Sequence, residues 1–168
     1  MLSKKMTEAI NAQINAELWS AYLYLSMSAD FASKGFPGFA HWMYLQFEEE
    51  QEHAMKLLNY MVERGAKPEL RPIDEVQTEW KTPLAAFQET LEHERVVTGL
   101  INDLYTLALE EKDYATQSML TWFIDEQVEE EDTAQGVVDS LELIGNNGSG
   151  LYKLDRDLGK RVDEEEEE

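Results

Sequence analysis

EEEQEHAMK, residues 48–56, lies in a segment whose apolar residues recur at helical spacing. On a helical wheel referenced to Glu50, Phe39, Met43, Phe47, His53, Ala54, Leu57 and Met61 fall in one stripe. Glu50 and His53 are inside that stripe, whereas Glu48 and Glu52 fall well away from it. The helix therefore puts a carboxylate and an imidazole, three residues apart, on the face it means to bury. A buried carboxylate without a partner is strongly unfavourable and rarely tolerated, so that face needs a partner from the rest of the chain.

Three other segments repeat the arrangement. Glu17 falls among Met6, Ile10, Ile14, Ala21, Tyr24 and Phe31; Glu94 falls with Phe87, Leu91, Ile101 and Tyr105. Glu130 falls with Met119, Phe123, Val137 and Leu141, and Glu126 and Gln127 flank it one turn earlier. Helical periodicity dominates throughout, and nothing alternates convincingly as a strand. The spacing predicts helices from about Ser3 to Ser33, Pro37 to Arg64, Thr82-Pro83 to Lys112, and Asp113 to Ile144. A short fifth helix, LYKLDRDLGKR, is expected from Ser149 or Gly150. Gly35 and Gly65 act as stops, Thr82 and Asp113 as N-caps, and GNNGSG breaks the fourth helix.

The connections set the topology. The turns at 34–36 and 112–113 are short, so each joins an antiparallel pair. Between Gly65 and Thr82, AKPELRPIDEVQTEWK carries two prolines and no clear helical stripe. A helix of this size is about 40 Å long, and this segment can stretch roughly 55 Å, enough to travel the full length of the bundle. The expected fold is all-α: a four-helix bundle with one long crossover between two hairpins and a short fifth C-terminal helix. Residues 1–160 are read as one domain, with 161–168 an acidic tail expected to be disordered.

The chain has 168 residues, no cysteine, and a formal net charge of −21 from 35 acidic and 14 basic side chains. The absence of cysteine excludes disulfides, zinc ribbons and cysteine-ligated iron–sulfur clusters, and fits a reducing compartment. The N-terminus lacks the apolar run of a signal peptide and no stretch suffices to span a bilayer, so a cytoplasmic protein with no membrane partner is expected. The acidic balance makes nucleic acid a poor partner, so none is expected, and favours cations instead.

Four inward carboxylates would repel one another, and no Lys or Arg occupies the inner stripes. Two divalent metals would neutralise them, with one imidazole completing the coordination. Oxygen-rich ligation with a single histidine suits iron or manganese better than zinc. A lone Glu-x-x-His pair usually faces solvent; four helices with matched positions point to a metal site. Tyr24 could hydrogen-bond a ligand or supply an electron, or be a core tyrosine with a satisfied hydroxyl. Glu49, Glu126 and Glu129, at the stripe edges, could form an oxygen-only cation site or an exit path for iron, and a solvated acidic face explains them nearly as well. Trp122 is read as packing, His41 as solvated, and His93 is given no role.

Four stretches, NAELWSAYLYLSM, FEEEQEHAMK, TLEHE and WFIDEQVEEE, resemble the prokaryotic haem-free ferritins in order and spacing, over about residues 3–160. The resemblance implies a ferroxidase centre in which Glu17, Glu50 and His53 hold one iron and Glu50, Glu94 and Glu130 a second, with Glu50 bridging. It implies Gln127 as a hydrogen-bonding neighbour, and Glu49, Glu126, Glu129 and Glu130 as a third iron site. It also implies dioxygen or peroxide as oxidant, a ferric mineral inside a shell of twenty-four subunits, and the fifth helix at its four-fold axis. Gln51 stands where bacterioferritins carry a haem-binding methionine, so no haem is expected. The alternatives are a discrete diiron oxygenase acting on an organic substrate, which needs a substrate pocket beside the metals, and a non-catalytic helical or metal-buffering protein.

Overall fold

The computed structural model describes residues 1–162; the remaining DEEEEE, and with it most of the expected acidic tail, lies outside the described residues. The described chain forms five helices and no strand: α1 (Lys4–Ser33), α2 (Pro37–Glu63), α3 (Pro83–Glu110), α4 (Tyr114–Ile144) and α5 (Gly148–Leu158). The ends follow side-chain chemistry. Ser3, Thr82 and Asp113 accept hydrogen bonds from Met6 N, Ala85 N and Thr116 N at the starts of α1, α3 and α4. Gly35 and Gly65 adopt φ of +81° and +73°. The amides that follow them close onto Phe31 O and Met61 O at 3.0 and 2.9 Å, which stops α1 and α2. Helix α5 starts slightly earlier than the periodicity implies, because the Asn147 side chain accepts from both Ser149 N and Gly150 N.

The crossover takes the expected route, hydrogen-bonded along α1 in the direction of that helix. Glu69 N donates to Asn11 Oδ1 at 2.9 Å, Asn15 Nδ2 to Pro72 O at 3.1 Å, and Ser26 Oγ to Gln77 O at 2.7 Å. At its far end Asp30 Oδ2 accepts from Trp80 N at 3.1 Å. The segment has no helical stripe, yet it adds Trp80 to the core, with Val76 packed against it.

Two apolar clusters fill the bundle. One gathers residues including Met27, Phe31, Phe39, Met43, Phe87 and Leu141. The other gathers Met6, Ile10, Ile14, Leu57, Met61, Ile101 and Phe123. Along each long helix the inward glutamate falls between members of the two clusters, so the bundle has an ionisable waist between apolar halves. No helix among the described residues is long and apolar enough to cross a membrane.

Candidate metal centre

Glu17, Glu50, His53, Glu94 and Glu130 are all buried, as their stripes require. One ligand atom from each of Glu17, Glu50 and His53 lies within 4.8 Å of the others, and Glu50 Oε2 is 3.8 Å from His53 Nδ1. Glu17 Oε2 and both oxygens of Glu50 are buried with no hydrogen-bond donor. This is the arrangement that a bound cation explains and that packing alone does not.

Burial raises the pKa of Glu17 and drives that of Glu50 well above the carboxylate range, and Glu94, Glu17 and Glu130 add repulsion at Glu50. Burial and this repulsion both favour the protonated form of Glu50. Burial also pushes Glu94 up to about 7, and burial together with the Glu94 charge pushes Glu130 up to about 8. His53 moves the other way, to about 4, through burial and then the charge of Lys56. Its imidazole is neutral at physiological pH, the form that ligates metal.

Each outer carboxylate is steered by polar neighbours. Glu94 Oε1 accepts from the Tyr24 hydroxyl and Oε2 from Gln127 Nε2 at 3.2 Å. Gln127 and Tyr24 are thus both hydrogen-bonded to Glu94. Two further glutamines escaped the sequence reading: Gln13 Nε2 donates to Glu17 Oε1 at 2.8 Å and Gln46 Nε2 to Glu130 Oε2 at 2.9 Å. The missed signal is positional, since Gln13 and Gln46 stand one turn before Glu17 and Glu50 on the same inner faces.

The edge residues divide. Glu126 is half-buried and repels Glu130 electrostatically, whereas Glu129 is exposed. Glu49 is bound by Arg161, whose Nη2 lies 2.7 and 2.8 Å from its two oxygens. Arg161, assigned to the tail from sequence, is thereby held against α2. No basic residue occupies the inner stripes, but one arrives from beyond α5, where periodicity gives no cue.

One histidine reading needs correction. His41 is half-buried rather than solvated, because its Nε2 meets Arg161 O at 2.8 Å. His93, given no role, pairs its Nε2 with Ser20 Oγ at 2.7 Å and lies against Trp19 and Tyr24. Burial lowers its pKa to about 4. Trp122 packs edge-on against His53 at 5.3 Å and carries Lys56 Nζ over its ring at 3.7 Å.

Fold and waist together define a class: a helical bundle built around a carboxylate-rich metal centre. The chain belongs to the ferritin family, whose ferritin-like domain matches residues 7–144. It is 48% identical over 161 residues to a bacterial non-heme ferritin of Bacteroides fragilis, covering 96% of this chain and all of that one. A bacterial non-heme ferritin of Staphylococcus aureus is 38% identical over 166 residues, covering 99% of this chain and all of that one. Among solved structures, the open pore ferritin of the archaeon Archaeoglobus fulgidus superposes with a TM-score of 0.96 at 48% identity, covering 96% of this chain and all of that one.

Proposed function

We propose that this chain is an iron-storage ferroxidase: it oxidises ferrous iron at the bundle waist and stores the ferric product inside a shell of its own copies. The observation that carries this reading is the buried Glu17–Glu50–His53 trio, with three carboxylate oxygens lacking any donor. Membership of the ferritin family supports it independently.

Glu17, Glu50 and His53 bind the first ferrous ion, and Glu50, Glu94 and Glu130 the second, with Glu50 bridging. Binding displaces the protons that burial keeps on these carboxyls, so it releases protons and strengthens as pH rises. The neutral His53 supplies a nitrogen ligand without adding charge. Tyr24 and Gln127 hold Glu94, Gln13 holds Glu17, and Gln46 holds Glu130, which limits how far the ligands must rearrange. The two ions pass electrons to dioxygen or peroxide. Fully buried apolar side chains on both sides of the waist, among them Ile14, Met27, Leu57 and Phe123, suit a small oxidant better than an organic substrate.

A third iron binds at Glu49, Glu126, Glu129 and Glu130, on the way out of the centre. The shell has twenty-four subunits and the protein acts in the cytoplasm. Large apolar side chains exposed on the single chain, including Leu70, Ile73, Tyr114 and Leu143, support burial between subunits.

The test is iron loading. Excess ferrous iron is added to the iron-free protein in air, and iron per chain is counted in the gel-filtration peak. Iron far beyond a few ions per chain, eluting with a very large particle, is the expected result. A plateau near two on a small oligomer would point instead to a discrete diiron enzyme.

A further inference from the structure

Arg161 reaches the edge of the metal centre from outside the bundle. Its Nη2 takes both oxygens of Glu49, at 2.7 and 2.8 Å, and its Nη1 donates to Gln46 Oε1 at 2.5 Å. Gln46 in turn donates to Glu130 Oε2 at 2.9 Å, so a continuous hydrogen-bond chain runs from the guanidinium to a carboxylate of the waist. The guanidinium also lies 4.8 Å from the Trp42 ring centroid, and the residue's carbonyl meets His41 Nε2. These contacts leave the arginine side chain 19% and Glu49 14% exposed. Such anchoring is unusual for an arginine three residues past the last helix, in a protein with 35 acidic side chains competing for 14 basic ones.

We infer that Arg161 is a tethered counter-ion that holds the third cation position until iron arrives, so that an iron ion reaching Glu49 must exchange with the guanidinium. The inference rests on the proposed function and deepens it. Both Glu49 oxygens are engaged by Arg161, so the third iron and the arginine compete for the same atoms. Each is a cation on the same carboxylate, and the exchange keeps Glu49 neutralised throughout. The tether makes exchange reversible: Arg161 follows Gly159 and Lys160 beyond the end of α5, and its anchors, His41, Trp42, Gln46 and Glu49, all lie on α2. Through Gln46, displacement of Arg161 also frees the amide that orients Glu130, coupling the third position to the pair at the waist. Arg161 is a positioning residue for Glu49 and Glu130, outside the ligand set itself.

The test is anaerobic calorimetric titration with ferrous iron, repeated with zinc, on intact wild type, Arg161→Gln and Arg161→Lys. The first two binding steps of the wild type report on the metal centre, and the third step reports on Arg161. Arg161→Gln is expected to bind the third ion tighter, on the order of tenfold, for loss of a bidentate charged pair, with a smaller shift in the step that involves Glu130, whose orienting amide is loosened. Arg161→Lys, which keeps the charge but lacks the fork, is expected to fall between. Crystals of the wild type soaked in ferrous iron are expected to show the guanidinium moved off Glu49 where the third ion is bound. Equal or weaker third-ion binding in Arg161→Gln, or a third ion beside an undisturbed Arg161–Glu49 pair, would overturn the inference. Loss of the first two steps in the wild type would contradict the proposed function as well.

Discussion

Asp30 and Glu50 are both buried carboxylates, 7% and 1% exposed, and the protein treats them in opposite ways. Asp30 Oδ2 accepts from Lys34 Nζ at 2.6 Å and from Trp80 N at 3.1 Å. Asp155 is likewise buried, and its Oδ1 accepts from Phe39 N at 2.9 Å at the start of α2. These acids, with donors built for them, tie the crossover and α5 to the bundle. Glu50 has no donor at either oxygen, and Glu17 lacks one at Oε2. The acids that tie elements of the fold together are supplied with N–H groups, whereas both oxygens of Glu50 and one of Glu17 at the waist are left without them.

The comparison breaks first at the chemistry. Glu50→Ala is expected to slow fast ferrous oxidation at least about a hundredfold, roughly 2.7 kcal/mol of barrier, while circular dichroism shows unchanged helical content. Retained oxidation together with lost assembly would reassign Glu50 to a structural role. Next comes the apolar half. Phe87 is fully buried among Phe31, Phe39 and Trp42, and Phe87→Ala is expected to cost about 3–5 kcal/mol in denaturant unfolding. The number of ions bound by the folded variant is expected to stay the same.

The two kinds of acid then separate by sign. Asp30→Ala is expected to destabilise by about 2 kcal/mol, because Trp80 N loses its acceptor. Glu50→Leu is expected to stabilise the metal-free protein by about 1 kcal/mol or more, since a carboxyl without partners is removed from the interior. Urea titration of both variants in chelator decides it, and destabilisation by Glu50→Leu would mean that the waist acids serve the fold.

The smallest expected effect is the pH dependence of the metal-free protein. Glu94 and Glu130 titrate near 7 and 8 when folded, against 4.5 for the ordinary side chain. The folded state therefore binds more protons between these values, and their contribution to stability is full below about 4.5 and lost as pH rises through 7 to 8. The thermal midpoint in chelator should fall across that window. Saturating zinc should flatten or reverse the slope, because the metal displaces the same protons. A midpoint that rises from pH 6 to 8 without metal would contradict the raised carboxyls.

The fold was legible in the chain because each of its levels has a local signature. Ser3, Thr82 and Asp113 mark helix starts, Gly35 and Gly65 mark stops, and the proline-bearing segment after Gly65 is long enough for only one kind of connection. The inward acids were legible because an apolar stripe makes a polar intruder conspicuous. Gln13, Gln46 and Arg161 were harder for a physical reason. A glutamine on an inner face reads equally as a margin residue until the carboxylate it serves is located across the bundle. Arg161 lies beyond any periodic segment, and its partners are 112 and 115 residues away in sequence. His41 was misread for the same reason, since its partner, Arg161 O, comes from another element.

The most direct measurement is anomalous scattering at the iron edge from crystals soaked anaerobically with ferrous iron. Two strong peaks are expected at the waist, one ligated by Glu17, Glu50 and His53 and the other by Glu50, Glu94 and Glu130, with Glu50 common to both. Iron found only at the exposed acidic surface, with the five waist side chains unmoved and unligated, would contradict the account.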